Sequence, residues 1–150
     1  MEFSKMKTLM AAAAMLATVG AAAVEPEYFA RKAPPGQNYP FSEAVRVGDM
    51  LYLSGEIGIG ADGKLVGGGI KVEAKQVMDN IGANLARHGS SFDHVVQCTV
   101  ALADIADWPV FNDIYRGYFG THFPARMAYA SAGLALGAKV EVQCSAVAMK

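Results

Sequence analysis

The chain has 150 residues, 53% hydrophobic and 18% charged, with 13 Lys+Arg against 14 Asp+Glu and a net charge of −1. That is one domain's worth of sequence, with enough apolar residues for a sizeable core. No basic patch or Lys/Arg run is present, so no nucleic-acid partner held by phosphate neutralisation is expected.

At the start of the chain, Lys5 and Lys7 precede an apolar run over residues 9–19, and Ala21-Ala22-Ala23 forms an A-x-A cleavage pattern. This reads as a secretory signal peptide over residues 1–23, leaving a mature domain at 24–150. The alanine-rich run is short and weak for a membrane span, so no membrane association is expected after cleavage. The product is expected to be exported, to a periplasm or the medium. Residues 24–39 carry Pro26, Pro34, Pro35 and Gly36 and read as an extended lead-in. Residues 44–47 and 50–53 flank Gly48-Asp49 and read as a hairpin of two short strands. A glycine-rich loop follows Ser54-Gly55, with a further short strand expected around 64–66.

From 72 to 88 the period changes. Val77, Ile81 and Leu85 recur every four residues and predict one apolar helical face, closed by Gly89. Residues 95–102 are β-rich. Asp107 offers an N-cap with Pro109 in the first turn of a second helix, which Gly120 closes. Its stripe of Phe111, Ile114, Tyr115, Tyr118 and Phe119 reads as core packing. Strands at 126–131 and 139–148 end the chain. The order β-β-β-α-β-α-β-β implies an α+β domain, with two helices covering one face of a mixed sheet.

Several motifs fail on context. Gly58-Ile59-Gly60-Ala61-Asp62-Gly63 matches a dinucleotide fingerprint, but Lys64-Leu65-Val66 follows where a helix should open. His88, His94 and His122 lack the close pairing of common zinc sites, so no metal is expected. Cys98 and Cys144 both fall in expected strands. An oxidising compartment would permit a bridge, but sequence does not set the Cα separation it needs, so the pair reads as two small buried hydrophobes.

The charges that interrupt apolar strands point to chemistry. Arg126 follows Phe123-Pro124-Ala125 and opens Met127-Ala128-Tyr129-Ala130, and Glu141 lies between Val140 and Val142. An arginine fork grips a carboxylate bidentately, and a glutamate can move a proton. An arginine at a strand end can equally reach solvent or pair with an acid. Period 2 places Lys139, Glu141, Gln143 and Ser145 on one face. In a monomer that face is solvated; it holds a site only where another subunit covers it.

Pro40-Phe41-Ser42-Glu43, Leu53-Ser54-Gly55-Glu56-Ile57, Asn112-x-x-Tyr115, Phe123-Pro124-Ala125-Arg126 and Val140-Glu141-Val142 occur in one order along the chain. In this the chain resembles, over about 40–150, the RidA/YjgF family of reactive-intermediate (enamine/imine) deaminases. The resemblance implies a chorismate-mutase-like fold and a homotrimer whose sheets line a central barrel, with helices outside and sites between subunits. It further implies hydrolysis of 2-enamine/2-imino acids to 2-keto acids and ammonia, without metal or organic cofactor. Carried over by position, Arg126 would clamp the substrate carboxylate, and Glu141 would orient water and pass its proton toward the departing amine. Ser54 and Gly55 would line the cleft and Asn112 would support it. Phe41 stands where many members carry tyrosine, and Ala128 where many carry cysteine, which leaves Ala128 only its backbone for water contact. Three other readings compete: a non-catalytic module binding a small carboxylate, a ribonuclease or translation inhibitor, and a chaperone.

Overall fold

The structure, a computed structural model, describes residues 23–149. The expected signal peptide lies outside the described residues apart from Ala23. Four strands precede the first helix: β1 (Glu27–Ala30), β2 (Ser42–Val47), β3 (Met50–Leu53) and β4 (Glu56–Ile57). Then come α1 (Ile70–Arg87), β5 (Val95–Leu102), α2 (Trp108–Arg116), β6 (Ala125–Ala130) and β7 (Val140–Val147). The seven strands form one sheet ordered β1-β2-β3-β7-β5-β6, with β4 also on β7. Among the described residues, only β5 and β6 pair in parallel, because α2 carries the chain across between them.

The helices form where the apolar period demands. Ala74, Val77, Met78, Ile81 and Leu85 of α1 are fully buried, and they pack on the β-face that carries Leu51, Leu53, Val100, Leu102, Val140 and Val142. Gly89, at φ 74°, turns the chain out of α1 in a conformation that other residues reach only with strain. In α2, Phe111 and Tyr115 are buried, and Phe119 beyond its end joins them in an aromatic stack with rings 4.6–5.5 Å apart. The core-packing role expected for that stripe holds.

Five expectations are corrected. The lead-in over 24–39 contains a strand, β1, which pairs with β2 from Glu27↔Arg46 to Ala30↔Ser42. Residues 64–66 form no strand; Leu65 makes a single bridge to Ile59, and β4 is the short strand of that region. The side chain of Asp107 caps nothing, since the chain is already turned at this point: Asp104 accepts from the Ala106 amide and starts a short 3-10 turn that runs into α2. The helix closes at Gly117, not Gly120. Finally, Cys98 and Cys144 form a disulfide. They are directly opposed on antiparallel β5 and β7, with Cα atoms 4.1 Å apart, and both are buried. Cross-strand register, which no single-strand pattern reveals, brings them together.

The bridge closes a loop of 46 residues. By chain-entropy reasoning this confers about 4 kcal/mol at most, with native values often lower. The double substitution Cys98→Ala/Cys144→Ala is expected to lower unfolding stability by about 2–4 kcal/mol in urea titration, and a reductant should have the same effect on the unsubstituted protein once it unfolds.

Candidate active site

Strand alternation sorts the candidate residues before any contact is considered. Arg126 is the register partner of Cys98, and Cys98 of Cys144, so the three share the helix-facing side of the sheet. Tyr129 partners Ala101, and Ala101 partners Glu141, which places this second row on the opposite side. The structure therefore does not bring Arg126 and Glu141 together within one chain. Each belongs to its own cavity.

The first cavity, about 250 Å³, is lined by Asn112, Tyr115, Arg116, Phe123, Pro124 and Arg126. It lies where β6, an edge strand of the sheet, meets α2. Arg126 donates through Nη2 to Asn112 Oδ1 at 2.7 Å, and its guanidinium lies over the Tyr115 ring, 4.7 Å from the centroid. These contacts hold the planar fork from one edge and one face, leaving donors for an incoming anion. Burial pushes the Tyr115 hydroxyl up to about 12, partly offset by the charge of Arg126. Tyr115 therefore stays neutral, and the cation keeps its full charge for a ligand. The sequence marked Tyr115 as core; its second role, as the platform beneath Arg126, follows from the three-residue step to Asn112 on one helix face. Ala128 sits two residues along β6 on the same face as Arg126 and packs against the core.

The second cavity, about 520 Å³, opens on the face away from the helices, and Ser54, Gly55, Thr99, Tyr129, Glu141 and Gln143 are among its lining. Here Glu141 and Gln143 alternate with the buried Val140, Val142 and Cys144, as period 2 predicts. Ser54 is on the wall, but its hydroxyl donates to the Ser42 carbonyl at 2.6 Å and its amide to the Glu43 carbonyl at 3.0 Å, so the side chain fastens the loop. Gly55 lies so close to Glu141 that a Cβ built on it would collide with Oε1 and stand 3.1 Å from Cδ. The carboxylate is thus seated against bare backbone. Phe41 lines neither cavity; it is exposed, packs beside Tyr39 with centroids 5.3 Å apart, and lies under the Arg31 guanidinium at 6.0 Å. Alternation had already placed Gln143 on the Glu141 face, whereas Thr99 and Tyr129 were not singled out from sequence; they join that face only through the β7–β5 and β5–β6 pairings.

The arrangement supplies a fixed cationic fork in one place and a carboxylate beside exposed backbone in another. Known proteins resemble the chain over most of its length. The endoribonuclease L-PSP family model matches residues 31–148. The human protein named 2-iminobutanoate/2-iminopropanoate deaminase is 45% identical over 114 residues, covering 75% of this chain and 83% of the human one. Reactive Intermediate Deaminase A, chloroplastic, of Arabidopsis thaliana is 36% identical over 130 residues, covering 86% and 70%. The crystal structure of yeast Mmf1 superposes with a TM-score of 0.76 at 34% identity, covering 83% of this chain and all of that one.

Replacing Gly55 by Ala should displace the Glu141 carboxylate, the movable partner, at little cost to folding. The expected result is an unchanged melting temperature and a fall in any Glu141-dependent turnover of about tenfold or more, since misplacement by an ångström has effects of that size. Thermal unfolding and steady-state kinetics on the same preparation check it.

Proposed function

The chain belongs to the endoribonuclease L-PSP family, the RidA/YjgF proteins, and on that premise we propose that it hydrolyses 2-imino acids, formed from 2-enamines, to 2-keto acids and ammonia. The observation that carries the reading is the Arg126 fork, held ready by Asn112 and Tyr115, together with a glutamate seated on backbone across the sheet. The imine carbon is already electrophilic, so the protein's work is positioning and proton transfer. Arg126 binds the substrate carboxylate through paired charge-assisted hydrogen bonds. Glu141 takes a proton from water as it adds to the C=N carbon and returns it to nitrogen. The carbinolamine hydroxyl then gives its proton, by way of Glu141, to the amine; as the C=O bond forms, the C–N bond breaks and its electron pair leaves with ammonia. The names of the matched relatives support deamination rather than RNA cleavage, and the net charge of −1 offers no footprint for a phosphate backbone.

The separation of the two cavities sets the assembly we propose. A site that uses both residues takes Arg126 from one subunit and Glu141 from the next. Such a contact joins two different surfaces of the same chain, and repeated contacts of that kind close into a ring. Three subunits, as the family resemblance implies, make that ring a homotrimer. Edge strand β6 and the exposed Tyr52, Met127, Tyr129 and Val147 support its location, since a bare strand edge and clustered apolar side chains ordinarily mark an interface.

We also propose export. Lys5, Lys7, the alanine-rich run and Ala21-Ala22-Ala23 form the leader, and a disulfide between Cys98 and Cys144 suits an oxidising compartment. Edman sequencing of protein recovered from its native host should begin near Val24; a soluble product that begins at Met1 contradicts export.

The chemistry and the assembly are tested together. An amino-acid oxidase generates 2-imino acids in situ, and their decay is followed with and without the protein. Arg126→Lys keeps the charge and loses the fork, costing about 2 kcal/mol and more than tenfold in kcat/KM. Glu141→Gln should lower kcat by roughly a hundredfold while leaving keto-acid binding intact. Each variant alone is impaired at every site, yet co-refolding them in equal amounts should restore about a quarter of wild-type activity, because one ordered pair of neighbours in four then carries both residues. Inactive mixtures of folded, assembled variants contradict the shared site, and a wild type that does not deaminate contradicts the function.

A further inference from the structure

β4 is two residues long, yet it carries the wall on which Glu141 rests: Glu56 pairs with Val142, Ile57 with Glu141, and Gly55 precedes them. Two ladder positions hold a strand weakly. Fixing the wall to within the tolerance of catalysis therefore needs other contacts, and the structure places them behind it, on the helix side. Glu56 is 1% exposed, and its carboxylate would be costly to bury alone. Arg31 grips it with a planar fork, Nη1 to Oε1 at 2.9 Å and Nη2 to Oε2 at 3.0 Å, and Asn84 Nδ2 of α1 donates to Oε1 at 2.6 Å. Asn80, one helical turn earlier, donates through Nδ2 to the carbonyls of Ile57 and Ile59 at 3.1 and 3.0 Å. Burial disfavours the charge on Arg31, and its bonds to Glu56 more than offset this, raising its pKa above the usual arginine value.

We infer that Arg31 is a positioning residue for the proposed deaminase site, acting through Glu56 to hold the Ser54–Gly55 wall against Glu141. Arg31 touches neither cavity of that site. It lies just past β1, in the lead-in segment, and lines a separate cavity of about 570 Å³ behind the sheet together with Glu43, Glu56, Asn80 and Asn84. A buried ion pair is a poor source of net stability compared with apolar packing of the same volume. What a bidentate pair does supply is direction: it holds one carboxylate, and with it one backbone segment, in one place. The clamp acts only on the Glu141 side, since the substrate carboxylate is gripped by Arg126 from a neighbouring subunit. Loosening it should therefore lower kcat and leave KM alone.

The inference rests on the deaminase reading, and its test has one readout that needs no activity. Arg31→Lys keeps the charge and loses the second hydrogen bond. In the assembled protein its kcat is expected to fall five- to tenfold with KM within twofold of wild type. Amide hydrogen exchange at Gly55 and Glu56 should speed up at least tenfold, while that of Leu51 and Val77 stays unchanged. Where Arg31→Lys fails to fold, the charge-free pair Arg31→Gln/Glu56→Gln keeps the Asn84 contact without a buried charge, and the same exchange increase at Gly55 is expected from loss of the fork. Unchanged exchange at Gly55 and Glu56 in the folded variant overturns the inference. So does unchanged kcat in an active enzyme, or a loss of kcat matched by equal quickening at Leu51 and Val77, which marks general destabilisation. A wild type with no deaminase activity overturns the functional reading alone, because the exchange experiment still decides the clamp.

Discussion

A side chain on a β-strand cannot choose its face independently of its neighbours, and this constraint governs everything built on the central sheet. β7 pairs with β5 through an unbroken register from Gln97↔Ser145 to Leu102↔Val140, and β5 pairs residue for residue with β6. Once Val140, Val142 and Cys144 turn inward to meet α1, Glu141 must turn outward. The same register turns Arg126 inward to meet α2. Core packing and site geometry are thus one choice made once. Shifting β7 by a single residue would bury Glu141 and Gln143 and expose the valines. The apolar side of the strand, worth roughly 1.5–3 kcal/mol for each fully buried valine, keeps the glutamate where a ligand can reach it.

The parts of the fold that obey local periodicity were legible. Val77, Ile81 and Leu85 announce α1, and the alternation from Val140 to Val147 announces β7 with its face assignment. β1 and β4 were not. β1 carries an unremarkable Glu-Tyr-Phe-Ala and earns its place through partners twelve and more residues away, including His88, whose ring packs 4.4 Å from that of Phe29. β4 is too short for any period to show and depends on α1 side chains over twenty residues along the chain. Residues 64–66 failed the opposite way: a short apolar run between glycines resembles a strand, but its pairing stops at one bridge, Leu65 to Ile59, flanked by backbone hydrogen bonds of Lys64 and Val66 to Gly60 and Gly58. The disulfide was hidden because it is a fact about register between strands.

The site was legible in identity and not in arrangement. Arg126 and Glu141 stand out as charges inside apolar strands, and the family resemblance gives them roles. That they face away from each other depends on a parallel pairing made by way of α2, which nothing local encodes. The other supporting residues were least visible. The resemblance names Asn112 as a support of the cleft, but Tyr115 sits in an amphipathic helix where aromatic positions read as core, and Arg31 sits in a proline-rich lead-in. Their contribution is angular, fixing a fork here and a backbone there, and composition carries no trace of it.

The position of β7 has a consequence for how the protein comes to exist. It is the last strand in sequence, yet it lies in the middle of the sheet, between β3 and β5. Until it arrives, the hairpin of β2 and β3 and the β5–β6 pair are two fragments without a common edge, and α1 has no complete surface to cover. The contacts that close the core join residues near 50 to residues near 147, a separation that makes folding slow and cooperative. The core therefore cannot close until β7 docks between β3 and β5, and the two fragments on either side of it stay unjoined until then.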